Sequence, residues 1–256
     1  MVKNLFRFAV RLLPVLILLL IWEVAATIGW IDTTIVPPPH QILETIVAML
    51  RSGQLTTDTL ASLQRVFFGF AMATLAGIFL ALMVATLSPA RFFFEPLVEI
   101  LRPIPPIAWI PLAILWFGIG DSPAYFIVFL GAFFPIFTNA LAGIQSTERM
   151  HLNAARCLGA SRWLILTDVV LPSALPSILT GLRVGFGVAW ICVITAELVG
   201  AQSGLGYMIQ LNRLLLQTDR VLGGMVVIGC LGFVFNFLLL QLEKRLICWR
   251  TTGFTE

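Results

Sequence analysis

The stretch ERMHLNAARCLGASRWLILTDVVLP, Glu148 to Pro172, decides the fold, because it is the one long polar interruption in an otherwise apolar chain. Ala154, Ala155 and Arg156 favour a helix over 153–158, which Asn153 can cap and which Gly159 is suited to close in a left-handed conformation. A second short helix is expected from Ser161, whose hydroxyl can accept from the backbone of Trp163 or Leu164, to about Leu171, before Pro172. The product is a helix, a turn and a helix, basic and small-faced, held in water between two apolar segments. That arrangement reads as a docking surface.

Working outward, the chain has the composition of an integral membrane protein. Of its 256 residues, 59% are hydrophobic and 11% charged, and the mean hydropathy is +0.98. A basic start leads into an apolar run from Leu12 to about Ile31, long enough to cross a bilayer. The same pattern describes a signal peptide, but the run is long for a signal core, which favours a retained span. Glu23 in this span is placed toward the interface, since a carboxylate at mid-depth is costly. Residues 32–62 are polar enough to be solvated, with a rigid Pro37-Pro38-Pro39 segment and an amphipathic surface helix from Gln41 to Met49. Further apolar stretches cover about 63–87, 92–117, 124–144, 178–200 and 221–242. The expectation is an all-α membrane protein with six transmembrane helices. It divides into a cytoplasmic N-terminus and first span at 1–31, an extracytoplasmic segment at 32–62, a five-helix core at 63–242 containing the 148–172 loop, and a tail at 243–256.

Six spans put both termini and the central loop on one side. That side carries Lys3, Arg7, Arg11, Arg91, Arg149, Arg156, Arg162, Lys244, Arg245 and Arg250. The other carries Arg51, Arg213 and Arg220, with Arg65, Arg102 and Arg183 within or beside spans. The positive excess assigns the central loop and both termini to the cytoplasm.

Gly69, Ala73, Gly77 and Ala81 on the second span, and Gly181, Gly185 and Ala189 on the fifth, recur every four residues and mark faces where helix backbones approach closely. The third span is irregular. Arg102-Pro103-Ile104-Pro105-Pro106-Ile107-Ala108-Trp109 cannot form one regular helix, because each interior proline removes a hydrogen bond and clashes with the preceding turn. Broken backbone at membrane depth is tolerated where it is buried or lines a wet cavity. This places Arg102, Pro103, Pro105, Pro106 and Trp109 beside a pathway, or at an interfacial re-entry. Arg102 is expected at the cytoplasmic end of the span, within reach of headgroups or of an anion in transit.

Asn153-Ala154-Ala155, then Gly159 after three residues, then Val169-x-Leu171-Pro172 after nine more, resembles the EAA loop of ABC importer permeases. Asn153 stands where that family has glutamate, and Val169 where it has isoleucine. RPIPPIAWIPLAILWFGIG at 102–120, GAFFPIFTNALAGI at 131–144, LPSALPSILTGLRVG at 171–185 and AELVGAQSGLGYMI at 196–209 look like the subfamily serving nitrate, sulfonate, taurine and bicarbonate importers. The resemblance implies a MetI-like permease core in the inner membrane and a second permease subunit, with a homodimer expected. It also implies two cytoplasmic ATPase subunits and an extracytoplasmic substrate-binding protein. Asn153, Ala154, Ala155, Leu158, Gly159, Ala160, Leu171 and Pro172 would then form the ATPase-coupling surface. In such a pathway for small anions Glu197 should not stand unpaired, so it is expected to pair with Arg213 or Arg220 and to help close an outer gate.

The residues independently narrow the function. No GxxxxGK[ST] phosphate loop occurs, so ATP and Mg would be bound by a partner chain and no cofactor is expected on this one. His40 and His151 fall in segments on opposite sides, and no HExxH or paired aspartates occur within spans, which argues against an intramembrane enzyme or a metal site. Cys157, Cys192, Cys230 and Cys248 share no CxxC spacing. Nothing points to nucleic acid. The alternative is a secondary transporter, which should carry a relay of intramembrane acids, whereas Glu23, Glu95, Glu99 and Glu197 all fall near expected span ends.

Overall fold

The computed structural model describes residues 2–247, with side chains from residue 13. Cys248, Arg250 and the end of the tail, and the side chains of Lys3, Arg7 and Arg11, lie outside the described residues. Among those described there is no strand. The helices are α1 (Val2–Thr27), α2 (Pro39–Arg51), α3 (Gln54–Thr86), α4 (Ser88–Leu101), α5 (Ile110–Phe117), α6 (Asp121–Gln145), α7 (Arg149–Cys157), α8 (Arg162–Ile165), α9 (Leu171–Gly200), α10 (Leu205–Leu214) and α11 (Thr218–Leu246). A 3-10 turn over Pro106–Trp109 precedes α5, and a π turn over Leu166–Val170 joins α8 to α9.

Four helical runs are long and apolar enough to cross a bilayer: α3, α6, Arg162–Gly200 and α11. A fifth is α4 with Pro106–Phe117, bent by 91°. The sixth apolar segment is α1, whose 26 residues extend about 39 Å at the usual helical rise. The second span is longer than the apolar pattern suggests, because α3 starts at Gln54 rather than near Leu63 and carries Asp58, Ser62 and Arg65 into the bundle.

Small residues set the packing, because between lipid-exposed helices close backbone approach replaces hydrophobic attraction. A Cβ on Gly69 would lie 2.7 Å from Val128 Cγ1, and one on Gly77 3.1 Å from Ile136 Cγ2. Ala73 and Ala81 between and beyond them are fully buried. The second small-residue stripe packs on α6 beside the first, with Gly181 against Asn139 and Gly185 against Ile136, the residue that Gly77 also meets. Central α6 is therefore clasped by α3 and α9.

The same contacts give the helix directions. Gly69 meets Val128 and Gly77 meets Ile136, so α3 and α6 run parallel; Gly131 meets Cys192 and Gly143 meets Ser177, so α6 and α9 are antiparallel. Parallel neighbours need a connection that returns across the bundle. Residues 88–120 are therefore a full crossing rather than a re-entrant hairpin. Its two halves pack at different depths: Val98 and Phe94 of α4 join Ala81, Val84, Phe137 and Leu141, while Ile110 and Ala113 of α5 join Ala124, Ile127 and Ala196. Single prolines such as Pro96, Pro135 and Pro176 are accommodated inside helices. Three within 103–106 are not, and α4 stops at Leu101.

The amphipathic α2 docks its apolar face, Ile42, Ile46 and Met49, with Ile46 and Met49 against Gly223 at the start of α11. Thr45 Oγ1 donates to Asp219 Oδ2 at 2.9 Å. Glu23 sits near the end of α1, as its charge requires, and its Oε1 lies 2.6 Å from His40 Nδ1.

Candidate functional site

The central loop stands clear of the bundle. Helix α7 begins at Arg149, four residues before Asn153, because Met150 and Leu152 extend the favourable helix propensity backward. Asn153 is therefore an exposed mid-helix residue and does not cap. The other end forms as the sequence suggests. Gly159 has φ of 77°; its N–H donates to Arg156 O and that of Ala160 to Ala155 O, both at 3.0 Å, which is the Schellman closure of a helix. Ser161 Oγ accepts from Leu164 N at 3.2 Å and starts α8. No residue of α7 or α8 is buried. Leu158 and Trp163 are 87% and 73% exposed, a large apolar offering at the tip of a loop.

Pro172 does not terminate a helix. Leu171 N–H donates to Leu166 O five residues back, and this π turn widens the spiral where proline would otherwise clash and leave a gap in the ladder. Half-buried Leu171 and exposed Pro172 thus lie in the first turn of α9, and α8 and α9 form one continuous run of 39 residues.

The proline bend lies at mid-depth, not at the cytoplasmic end expected for Arg102. Arg102 and Pro106 border a cavity of about 280 Å³ with Pro135 and Asn139 from the middle of α6 and Val184 and Val188 from the middle of α9. Toward the central loop, Glu95, Glu99 and Arg102 border another of about 160 Å³ with Thr138 and Gln145. The acids of α4 are therefore inside the crossing rather than at its ends. Arg91 Nε pairs with Glu95 Oε2 at 2.9 Å. Among the described residues neither the Glu99 carboxylate nor the Arg102 guanidinium has a hydrogen-bond or ion-pair partner. Charges at such depth face a wet cavity or the protein interior, not lipid. Pro103 and Pro105 are exposed on the bend, and half-buried Trp109 packs on the α5 cluster.

Glu197 is elsewhere, nine residues along α9 from Val188, or about 14 Å by helical rise. It pairs with neither Arg213 nor Arg220. Arg65 Nη1 donates to Glu197 Oε1 at 2.7 Å and to Ser203 O at 2.6 Å, while Nη2 donates to Asp121 Oδ1 at 2.6 Å. Ser62 Oγ lies 2.8 Å from each Glu197 oxygen, and Gly206 N donates to Glu197 Oε2 at 2.9 Å. Asp58 Oδ1 accepts from Gly204 N at 2.9 Å. The cluster ties α3, α6, α9 and the α9–α10 turn together at the end opposite the central loop. Its signal in the sequence is the spacing of Asp58, Ser62 and Arg65, which puts three polar groups on one helix face.

A multi-pass helical membrane protein emerges, with a water-exposed central loop, a charged break at mid-depth and an ionic latch at the far end. The chain belongs to the family of binding-protein-dependent transport system inner membrane components, which its residues 73–247 match, and is a permease component of an ABC importer. It is 39% identical over 238 residues to the taurine transport system permease protein TauC of Escherichia coli (strain K12), covering 91% of this chain and 86% of that one. It is 33% identical over 241 residues to the putative aliphatic sulfonates transport permease protein SsuC of Bacillus subtilis (strain 168), covering 94% and 87%. Its fold is similar to that of a chain in an inward-facing MetNI methionine ABC transporter, with a TM-score of 0.67 at 18% identity over 77% of this chain and 97% of that one.

Proposed function

We propose that two copies of this chain, in a homodimer, form the membrane pathway of an importer for a small anion of the nitrate, sulfonate/taurine or bicarbonate class. Two cytoplasmic ATPase subunits bind ATP and Mg, and an extracytoplasmic binding protein delivers the solute. The observation that carries this reading is the central loop: a short helix with exposed Asn153, Ala154 and Leu158, closed by Gly159, with nothing of its own chain covering it. The relatives named for taurine and aliphatic sulfonates support the sulfonate part of that class.

In this reading the central loop and both termini face the cytoplasm, in line with the positive charge there. ATP-driven closure of the ATPase subunits moves α7 and α8, and α9 carries the movement through the bundle. Residues Ala160, Leu171 and Pro172 pass the motion from loop to span. The bend at Arg102 to Trp109 borders the pathway, and the Glu197 latch holds its outer end shut at rest.

Uptake should be vanadate-sensitive in membrane vesicles holding this chain, the ATPase and the binding protein. Uptake that ignores vanadate and follows a proton gradient instead would replace this reading with a secondary transporter.

A further inference from the structure

We propose that α2 lies in the plane of the membrane, with Leu43, Val47 and Leu50 seated among the acyl chains of the leaflet opposite the central loop. The partner of this surface is phospholipid, whatever solute the chain carries.

Helix α2 has two apolar stripes. Ile42, Ile46 and Met49 face the bundle. Leu43, Val47 and Leu50 recur at the same spacing beside them, roughly 100° further around the helix, and are 61%, 44% and 48% exposed. The opposite flank carries Gln41, Thr45 and the small Ala48, and the edge turned away from the bundle carries exposed His40, Glu44 and Arg51.

Which flank meets the bilayer follows from α11. That helix starts at Thr218, on the side opposite the central loop, and runs inward. Its Asp219 bonds Thr45 on the polar flank at 2.9 Å. One turn in, Gly223 packs on Ile46 and Met49, and a turn further Val226, on the same face, is exposed. Helix α11 therefore passes α2 from its polar flank to its apolar flank on the way into the membrane, so the apolar flank points toward the bilayer interior. The stripe is continuous with the lipid-facing surface of α11. In water it would be an apolar face with no partner; at the acyl boundary it has one, and His40 and Arg51 stand level with the headgroups. One flank of the 32–62 segment thus leaves the water that its composition suggests.

The position bears on the latch. Ser52 and Gly53, with φ of 78° at the glycine, join α2 directly to α3, whose Asp58, Ser62 and Arg65 follow. A helix held at one depth in the leaflet sets the height at which the α3 half of the latch stands.

The test is photocrosslinking from single benzoylphenylalanine residues in the full-length chain, in bacterial membranes of phosphatidylethanolamine and phosphatidylglycerol, read by intact mass. Leu20 on α1, 65% exposed, serves as the lipid-facing reference. Benzoylphenylalanine in place of Val47 or Leu50 should gain the mass of one phospholipid, as at Leu20, and the adduct should be lost at Gln41 and Ala48 on the polar flank. A crosslink from Val47 to a second copy of the chain, or to another protein, would overturn the lipid assignment and make the flank a protein interface. Equal lipid adducts from both flanks would overturn it too, as would an adduct at Leu20 with none at Val47 and Leu50. A charge reads the same contact without a photoprobe. Val47→Asp should lower the unfolding midpoint of the chain in nanodiscs more than Ala48→Asp does, and equal shifts would count against the seat in lipid.

Discussion

Arg65 on α3 and Glu197 on α9 meet at 2.7 Å with 2% and 1% of their surfaces exposed, across a separation of 132 residues. Each is further satisfied, Arg65 by Asp121 and Ser203, Glu197 by Ser62 and the N–H of Gly206. Removing one partner strands the other in a desolvated site. Arg65→Ala should therefore cost about 3–5 kcal/mol of stability, read as a lower unfolding midpoint in detergent, whereas Arg213→Ala should change little. Equal effects of the two would remove the latch.

Glu197→Gln keeps the shape and one acceptor but weakens the hold on Arg65. If the latch closes the resting state, basal ATPase activity of the assembled complex without binding protein should rise, roughly two- to threefold. The measurement is phosphate release from purified complex in nanodiscs, and an unchanged basal rate would take Glu197 out of the gate.

Gly159 adopts φ of 77°, with nothing within 4 Å of where a Cβ would stand. Its requirement is conformational rather than spatial, and a side chain there costs roughly 1–2 kcal/mol. Gly159→Asp, which adds a negative charge to the docking face, should abolish uptake while the protein still inserts, and the uncharged Gly159→Asn, which tolerates the left-handed region, should retain more activity than Gly159→Ala. Wild-type transport in the aspartate variant would dismiss the loop as the coupling surface.

Asn153 lies exposed in the middle of α7. Asn153→Ala should thus stabilise the helix by a few tenths of a kcal/mol through propensity instead of weakening it through a lost cap. Asn153→Glu should be tolerated as well. Co-purification of the ATPase checks both, and loss of the partner with either variant would show that the asparagine side chain itself makes the contact.

Gly69 and Gly187 are a matched pair for the packing argument. A Cβ at Gly69 would sit 2.7 Å from Val128 Cγ1 and 2.9 Å from Tyr125 O, whereas one at Gly187 meets nothing within 4 Å. Gly69→Ala should cost about 1–3 kcal/mol and Gly187→Ala should be neutral or slightly stabilising, as thermal unfolding would report. Similar costs for both would mean that helix propensity, not contact, governs these positions.

Local chemistry was legible in the sequence and long-range pairing was not. The Gly159 turn and the Ser161 cap follow from groups within a few residues of each other, so their residue types announce them. The small-residue stripes show their spacing, though not that both face α6. Arg65 is a different case: a charge just inside an apolar run looks like an interfacial anchor until the fold brings Glu197 and Asp121 to it. The depth of Arg102 was hidden for a related reason. Only the parallel course of α3 and α6, a matter of packing, requires residues 88–120 to cross and sets their break halfway. Pro172 misled because proline usually ends a helix, and a π turn is not readable from residue types.

That π turn has a mechanical consequence. Without it the helical hydrogen bonding would break between the loop and the bundle at Pro172. With it, Arg162 to Gly200 is an unbroken helical run of 39 residues, roughly 58 Å measured along its path, with the exposed Trp163 indole near one end and the Glu197 side of the latch near the other. A displacement of the loop therefore has one unbroken backbone to follow from the indole to the latch.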